Sequence, residues 1–252
     1  MTANGAASAG VEAAAEAAQQ QQEQQQPSSM HLVIDVDASE EGNGNGSSSK
    51  QPAVVIKTLT SAEELQAVAR LRAEAYYAED RSRFADSFKK QFAAQEVESL
   101  RSRTSGSNGR PQMSACLVAL QPDSSKVLGC IDIRLPQTAT GTRALGVPED
   151  DAAGCYLLNV VVSEDWRGQG IGKALMAAAM AQAVHVWGAQ RLYTHVEADN
   201  EVASGLYKSC GFREHSSEEK YANTLSLGRL VLLIAAAADA PAVQDTLFTQ
   251  QA

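Results

Sequence analysis

The chain has 252 residues, 44% of them hydrophobic and 20% charged, which is enough for one folded domain plus tails. One basic and seven acidic residues give the first 50 residues a net −6, leaving 20 basic and 23 acidic residues, a net −3, in residues 51–252. So even a balance leaves no electrostatic footprint for nucleic acid, the four cysteines show no C-x-x-C pair and no histidine at metal spacing, and the longest late apolar run, nine residues from Leu230 to Ala238, is far short of the ~20 a membrane span needs.

Residues 1–52 are mostly Ala, Gln, Gly and Ser, with a Gln/Glu run from Gln19 to Gln26 and no aromatic residue. Such a segment cannot bury enough apolar surface to offset its ordering entropy, so a disordered low-complexity region is expected. Within it, His31 to Val36 has the composition of a short strand, but an isolated one. The folded domain is expected over residues 53–236, with 237–252 a tail. Val54-Val55-Ile56 reads as its first strand, and Thr60-Ser61-Ala62-Glu63 as a capping box opening a helix. Leu65, Val68, Leu71 and Ala75 give that helix one apolar stripe. A second helix carries Phe84, Phe88 and Phe92 at i, i+4 and i+8, a ladder read as core packing. Arg101 to Gln112 is a polar loop. Ala115 to Leu120 and Val127 to Leu135 flank a Pro-Asp-Ser-Ser turn and read as an antiparallel hairpin. Cys116, Cys130 and Cys155 lie in apolar, strand-like runs, as buried reduced thiols would. Pro136 to Gly154 has no periodicity, and a loop of that length is either functional or mobile.

The strongest local signal follows. The β-branched run Tyr156-Leu157-Leu158-Asn159-Val160-Val161-Val162 leads into Arg167-Gly168-Gln169-Gly170-Ile171-Gly172, and an alanine-rich helix runs from Lys173 to Trp187. Glycines at a strand-to-helix turn leave the backbone amides uncovered. The first amides of a helix have no intrahelical partners and its dipole favours negative charge there, so the turn is a main-chain phosphate cradle. Counting from Gly168, Lys173 stands where the dinucleotide fingerprint needs its last glycine. The triphosphate loop fails too, because only three residues separate Gly168 from Gly172 and Ala174 follows Lys173. Gly188 ends the helix, and Arg191 to Glu197 closes a β-α-β unit that should be parallel. Asn200 caps a last helix that stops at Gly211, and Phe212 to Glu214 and Leu230 to Ile234 supply two final strands. The order β-α-α-β-β-β-α-β-α-β-β is an α/β fold with one mixed sheet.

The residues Arg167-x-x-Gly170-x-Gly172 resemble the coenzyme A signature of the GNAT superfamily of N-acetyltransferases, (Q/R)-x-x-G-x-(G/A). Behind them, the strand Leu192 to Glu197, the run Asn200-x-x-Ala203-x-x-x-Tyr207 and the pair Gly211-Phe212 resemble the second GNAT pattern, in the same order. The resemblance covers residues 53–236, shows the same element order, and is greatest for the plastid-type acetyltransferases of plants and green algae. It implies acetyl-CoA as co-substrate and no metal. It also implies a place for each motif residue. Val160, Val161 and Val162 would pair with the pantetheine arm, and an amide near Val160 would polarise the thioester carbonyl. The amides of Gly168, Gln169, Gly170, Ile171, Gly172 and Lys173 would take the pyrophosphate, with charge from Arg167 and Lys173. Asn200 would contact the pantetheine or acceptor side, Ala203 would share a helix face with Tyr207, and Tyr207 would serve as general acid. In this family the two helices after the first strand wall the acceptor site.

Acetyl transfer also needs a neutral amine. A lysine ammonium is only ~0.04% neutral at pH 7 and a protein N-terminus ~10%, so lysine leans harder on a general base. Glu197, His195 and Tyr156 are the candidates. Tyr193, His195 and Glu197 alternate onto one strand face and Thr194 and Val196 onto the other, and spacing alone leaves open which face meets the site. The acceptor expected is a protein or peptide amine, with a small-molecule amine and a non-catalytic acetyl-CoA-binding module as alternatives. Family resemblance points to a plastid. Residues 1–50, with no arginine and seven acids, point instead to cytosol or nucleus, since transit peptides are Arg-rich and acid-poor.

Overall fold

The run Tyr156–Val162 lies near the middle of an eight-stranded mixed sheet in the computed structural model, which describes residues 31–35, 53–106, 111–122, 124, 126–218 and 230–239. Its strands are β1 (His31–Asp35), β2 (Ala53–Thr58), β3 (Ser114–Leu120), β4 (Val127–Arg134), β5 (Cys155–Val162), β6 (Arg191–Glu197), β7 (Arg213–Glu218) and β8 (Leu230–Ala236). The helices are α1 (Ala62–Tyr76), α2 (Ala85–Thr104), the one-turn α3 (Gln137–Thr140), α4 (Ile171–Trp187) and α5 (Glu201–Ser209). The spatial order is β1-β2-β3-β4-β5-β6-β8-β7, and every neighbouring pair is antiparallel except β5 and β6. Residues 53–236 thus show the expected element order, with α3 added.

The sheet is covered on both faces, so β3 and β4 are buried almost end to end and read as continuous apolar runs. On one face, Leu65 and Val68 of α1 and Leu100 of α2 pack with Cys116, Val118 and Cys130. On the other, α4 packs its alanines and Leu175 against Leu117, Ile133, Leu157 and Leu192. Small residues let this helix lie close to the sheet while keeping high helix propensity. All four cysteines are buried free thiols.

Several expectations need correcting. His31–Asp35 is not isolated: it pairs antiparallel with β2 as an edge strand, while the rest of residues 1–52 lies outside the described residues, as does 240–252. The capping box sits one residue later. Glu64 N donates to Ser61 Oγ (3.1 Å), and Glu64 Oε2 accepts from Ser61 N (3.2 Å). The phenylalanine ladder is not core: Phe84 is 51% and Phe88 42% exposed. It stacks instead with the end of α1, Tyr76 on Phe92 at 5.2 Å and Tyr77 on Phe88 at 6.2 Å between ring centres. The helix turns its few buried positions elsewhere, through Leu100.

Residues 136–154 form a packed layer. Ala144 and Val147 are buried against Tyr156, Tyr193 and Leu232, on the sheet face that α1 and α2 also cover. Asp151 anchors the layer by accepting from Tyr193 Oη at 2.9 Å and Arg191 Nη1 at 3.4 Å. Arg134 Nη1 donates to Leu145 O at 2.7 Å and its guanidinium lies 5.2 Å from the centre of the Tyr156 ring.

Candidate active site

Strands β5 and β6 are paired only at Cys155–Leu192 and Tyr156–Tyr193. Beyond Tyr156 the two part, and three residues further on β5 is irregular against β4. Opposite Cys130 and Asp132 of β4 stand Val161 and Leu158, so Ile131 faces two residues, Asn159 and Val160. Asn159 takes φ +54°, the left-handed region that asparagine tolerates best after glycine. The bulge leads into Val161 and Val162, which pair with β4 and have no partner on β6.

The strand then meets the turn. Gly168 and Gly170 have φ +75° and +80°, where an L side chain would be strained. Gly170 is the N-cap of α4 and no side chain caps the helix. The intrahelical ladder starts with Ala174 N donating to Gly170 O. The amides of Ile171, Gly172 and Lys173 therefore precede the first intrahelical donor, Ala174 N, and present the helix's positive pole. Arg167 Nε donates to Val162 O at 3.3 Å, fastening the turn to the strand.

These parts line one cleft of about 820 Å³. Val160, Val161, Val162, Arg167, Gly168, Gly170, Ile171, Gly172, Lys173, Asn200, Ala203 and Tyr207 all border it. Arg167 and Lys173, both basic, are the charged side chains on its wall. A long polyanionic ligand with an apolar arm suits such a cleft: phosphates at the uncapped helix, the arm along a strand edge. Two expected residues stand apart. Gln169 donates through Nε2 to Asp165 O (3.3 Å) within the turn, and Glu197 is exposed at the end of β6 opposite Leu230.

Asn200 accepts from Ala203 N at 3.0 Å, capping α5 while bordering the cleft. The cap holds the helix so that Tyr207, two turns on, reaches the same wall. Tyr207 is 7% exposed, with its ring 5.8 Å from that of Phe212. Burial pushes its phenol above the ordinary tyrosine range, partly opposed by the hydroxyl of Thr194. The two faces of β6 are thereby distinguished. Leu192 and Val196 pack on the α4 side, where Thr194 meets Tyr207. Tyr193 packs on the other, beside the 136–154 layer. On that second face, Tyr156 Oη and His195 Nδ1 lie 2.9 Å apart, Tyr156 in the last β5–β6 pair and His195 two residues beyond its partner Tyr193.

Sequence reasoning missed the residues that shape the gap. Asn159 carried a usable signal, an asparagine inside a β-branched run where asparagine is disfavoured. So did Asp132, a charge inside the apolar strand Val127–Arg134.

Residues 66–212 match the acetyltransferase (GNAT) family. The chain is similar to GCN5-related N-acetyltransferase 6, chloroplastic, of Arabidopsis thaliana, at 30% identity over 172 residues, 60% of this chain and 58% of that protein. It is similar to GCN5-related N-acetyltransferase 7, chloroplastic, of the same plant, at 29% identity over 197 residues, 65% of this chain and 69% of that protein. The match to the first of these relatives thus spans less than two thirds of that protein's length. A spermidine N-acetyltransferase chimera from Vibrio cholerae and hSSAT shares the fold, with TM-score 0.50 and 16% identity over 73% of this chain and 96% of that one. With its family match running from α1 through the parted strands and the glycine turn to Phe212, the chain belongs to the GNAT acetyltransferase family.

Proposed function

We propose that the protein is an acetyl-CoA-dependent N-acetyltransferase whose acceptor is a protein amine, an N-terminal α-amine and/or a lysine ε-amine. The observation that carries this reading is the continuity of one cleft, from the unpaired edge Val160–Val162, past the uncapped N-terminus of α4, to the Tyr207 hydroxyl-bearing wall. Val161 and Val162 are paired with β4, but toward β6 the backbone of Val160–Val162 has no strand partner and would pair there with a pantetheine arm, and the amides from Gly168 to Lys173 would take the pyrophosphate. When bound, acetyl-CoA supplies the acetyl group as a thioester.

The chain's own residues then divide the work. An amide at the bulge, near Val160, stabilises the negative charge that develops on the carbonyl oxygen as the amine nitrogen bonds to carbon. Tyr207 holds a proton for the sulfur that leaves when the carbon–sulfur bond breaks. The proton lost by the amine goes to the Tyr156–His195 pair, which sits where β5 and β6 part, in preference to Glu197, which is exposed at the far end of β6. Tyr207 and the Tyr156–His195 pair lie on opposite faces of the sheet at the gap, so amine entry and thiolate departure are kept apart. Both Arabidopsis relatives are named chloroplastic, which supports a plastid over cytosol or nucleus.

The test is a proteome-derived peptide library incubated with the protein and acetyl-CoA, with mass spectrometry separating α-amino from ε-amino products. Acetylated peptides are expected. Faster turnover of free polyamines or amino acids than of any peptide would replace the protein acceptor with a small one, and acetyl-CoA binding without turnover of either would leave a binding module.

A further inference from the structure

Asp132 of β4 is fully buried, on the face covered by α1 and α2. Its Oδ1 accepts from Arg72 Nη2 at 2.6 Å, and its Oδ2 accepts from Arg103 Nη2 at 3.1 Å and from Asn159 Nδ2 at 2.9 Å. Glu96 Oε1 completes the cluster, accepting from Arg72 Nη1 at 2.6 Å and Arg103 Nη2 at 2.8 Å. Two carboxylates thus face two guanidiniums, so the cluster is neutral, and every bond to Asp132 is charge-assisted. Arg72 comes from α1, Glu96 and Arg103 from α2, and Asn159 from the bulge of β5.

Stability alone explains this cluster poorly. A buried ion network of this kind is often no more stabilising than apolar side chains of equal volume, and its best-attested use is to fix one arrangement among several. Here the arrangement fixed is visible. Asn159 is the non-glycine residue at positive φ among the described residues, and its amide is the group bonded to Asp132. The residues beyond it, Val160–Val162, are the cleft's strand wall and lack a β6 partner to hold their direction.

We propose that Asp132 is a positioning residue for the acetyl-donor side of the site: through Asn159 it holds the β5 bulge, and hence the line along which Val160–Val162 leave β6, while Arg72 and Arg103 tie the same carboxylate to α1 and α2. The wall for the donor and the helices on the far face are registered against each other through one buried side chain. The inference rests on the reading of Val160–Val162 as the rail for the pantetheine arm.

Two variants of the full chain test it. Asn159→Gly keeps the left-handed conformation and removes only the tether. Asn159→Asp keeps the shape and sets a second carboxylate against Asp132. The probes, measured by calorimetry, are acetyl-CoA and adenosine 3′-phosphate 5′-diphosphate, which has the phosphates but no pantetheine. Both variants should bind the nucleotide within about twofold of wild type and acetyl-CoA about fivefold or more weakly, because the rail must then be ordered on binding. Hydrogen exchange of a 158–163 peptide should quicken while that of 171–187 does not. A smaller loss for acetyl-CoA in the folded variants, or an equal loss for the nucleotide, overturns the proposal. A wild-type protein that binds neither probe would instead sink the acetyltransferase reading, and this inference with it.

Discussion

At the residue scale, Tyr207 has the sharpest test. A thiol near pKa ~8.5 takes a proton from an ordinary phenol near ~10 at a cost of about 2 kcal/mol, small beside a chemical barrier. Burial raises the phenol further and widens that gap, but it also keeps the proton in place throughout the neutral range. Tyr207→Phe keeps the ring against Phe212 and removes only the hydroxyl. It should lower kcat by about 10²-fold or more with little change in acetyl-CoA affinity. An unchanged kcat, where chemistry limits the rate, would leave Tyr207 as packing. On the opposite face, Tyr156→Phe breaks the 2.9 Å bond to His195. Lysine acceptors should then suffer more than N-terminal ones, since far less of their amine is neutral at pH 7. Equal losses of kcat/KM on matched peptides would remove the pair from amine deprotonation.

At the element scale, the N-terminus of α4 is tested by Gly170→Asp, which sets a carboxylate and a Cβ where the phosphates are proposed to lie. Calorimetry should show acetyl-CoA binding lost while circular dichroism stays that of a folded protein, and retained affinity would place the phosphates elsewhere. The 136–154 layer has its own weak point. Gly146 has φ +98°, and a Cβ there would collide with the ring of Tyr156. Gly146→Ala should destabilise the protein by about 1–3 kcal/mol in denaturant titration, as overpacking does, and a change within ±0.5 kcal/mol would show the layer to be loosely seated.

At the scale of the whole molecule, stability should fall at both ends of the pH range. Burial alone would raise the Asp132 pKa, but Arg72, Arg103 and Asn159 outweigh it and hold the carboxyl below its ordinary value. A depressed acid stabilises the fold above its unfolded pKa, near ~3.9, and that contribution is lost as pH falls through the folded value. Tyr193 runs the other way, pushed up to about 12 by burial and by its bond to Asp151. Its contribution is complete below the unfolded pKa near ~10 and is lost as pH rises toward the folded value. Melting temperatures should therefore decline below pH ~4 and above pH ~10, and Tyr193→Phe should flatten the alkaline arm. A second global prediction concerns the sheet edge. Deleting residues 1–30, whose composition lacks a core to join, should leave the melting temperature unchanged. Deleting residues 1–52 also removes β1 and bares the edge of β2, and should lower it or promote association.

The site was legible in the sequence wherever chemistry rests on backbone and local spacing. Gly168, Gly170 and Gly172 announce a turn without side chains, Asn200 announces a cap, and Tyr207 follows on the same helix by fixed periodicity. The element order from Val54 to Ile234 was legible for the same reason, because hydrophobic period and helix caps are local. What only the tertiary structure decided depends on partners distant in the chain. Phe88 and Phe92 are spaced like core residues, yet they stack on Tyr77 and Tyr76 at the end of α1, with Phe84 and Phe88 left exposed, while Leu65, Val68 and Leu100 fill that face of the sheet. The pairing of β1 with β2 and of the 136–154 layer with Tyr156 and Tyr193 has no period to betray it. Most of all, nothing local says that Asp132 would meet Arg72, Arg103 and Asn159 across separations of 60, 29 and 27 residues. The bulge of β5 is bonded to α1 and α2 through that meeting. A glycine turn and an uncapped helix start are written into six consecutive letters, but a buried charge is compensated only by whatever the fold brings to it.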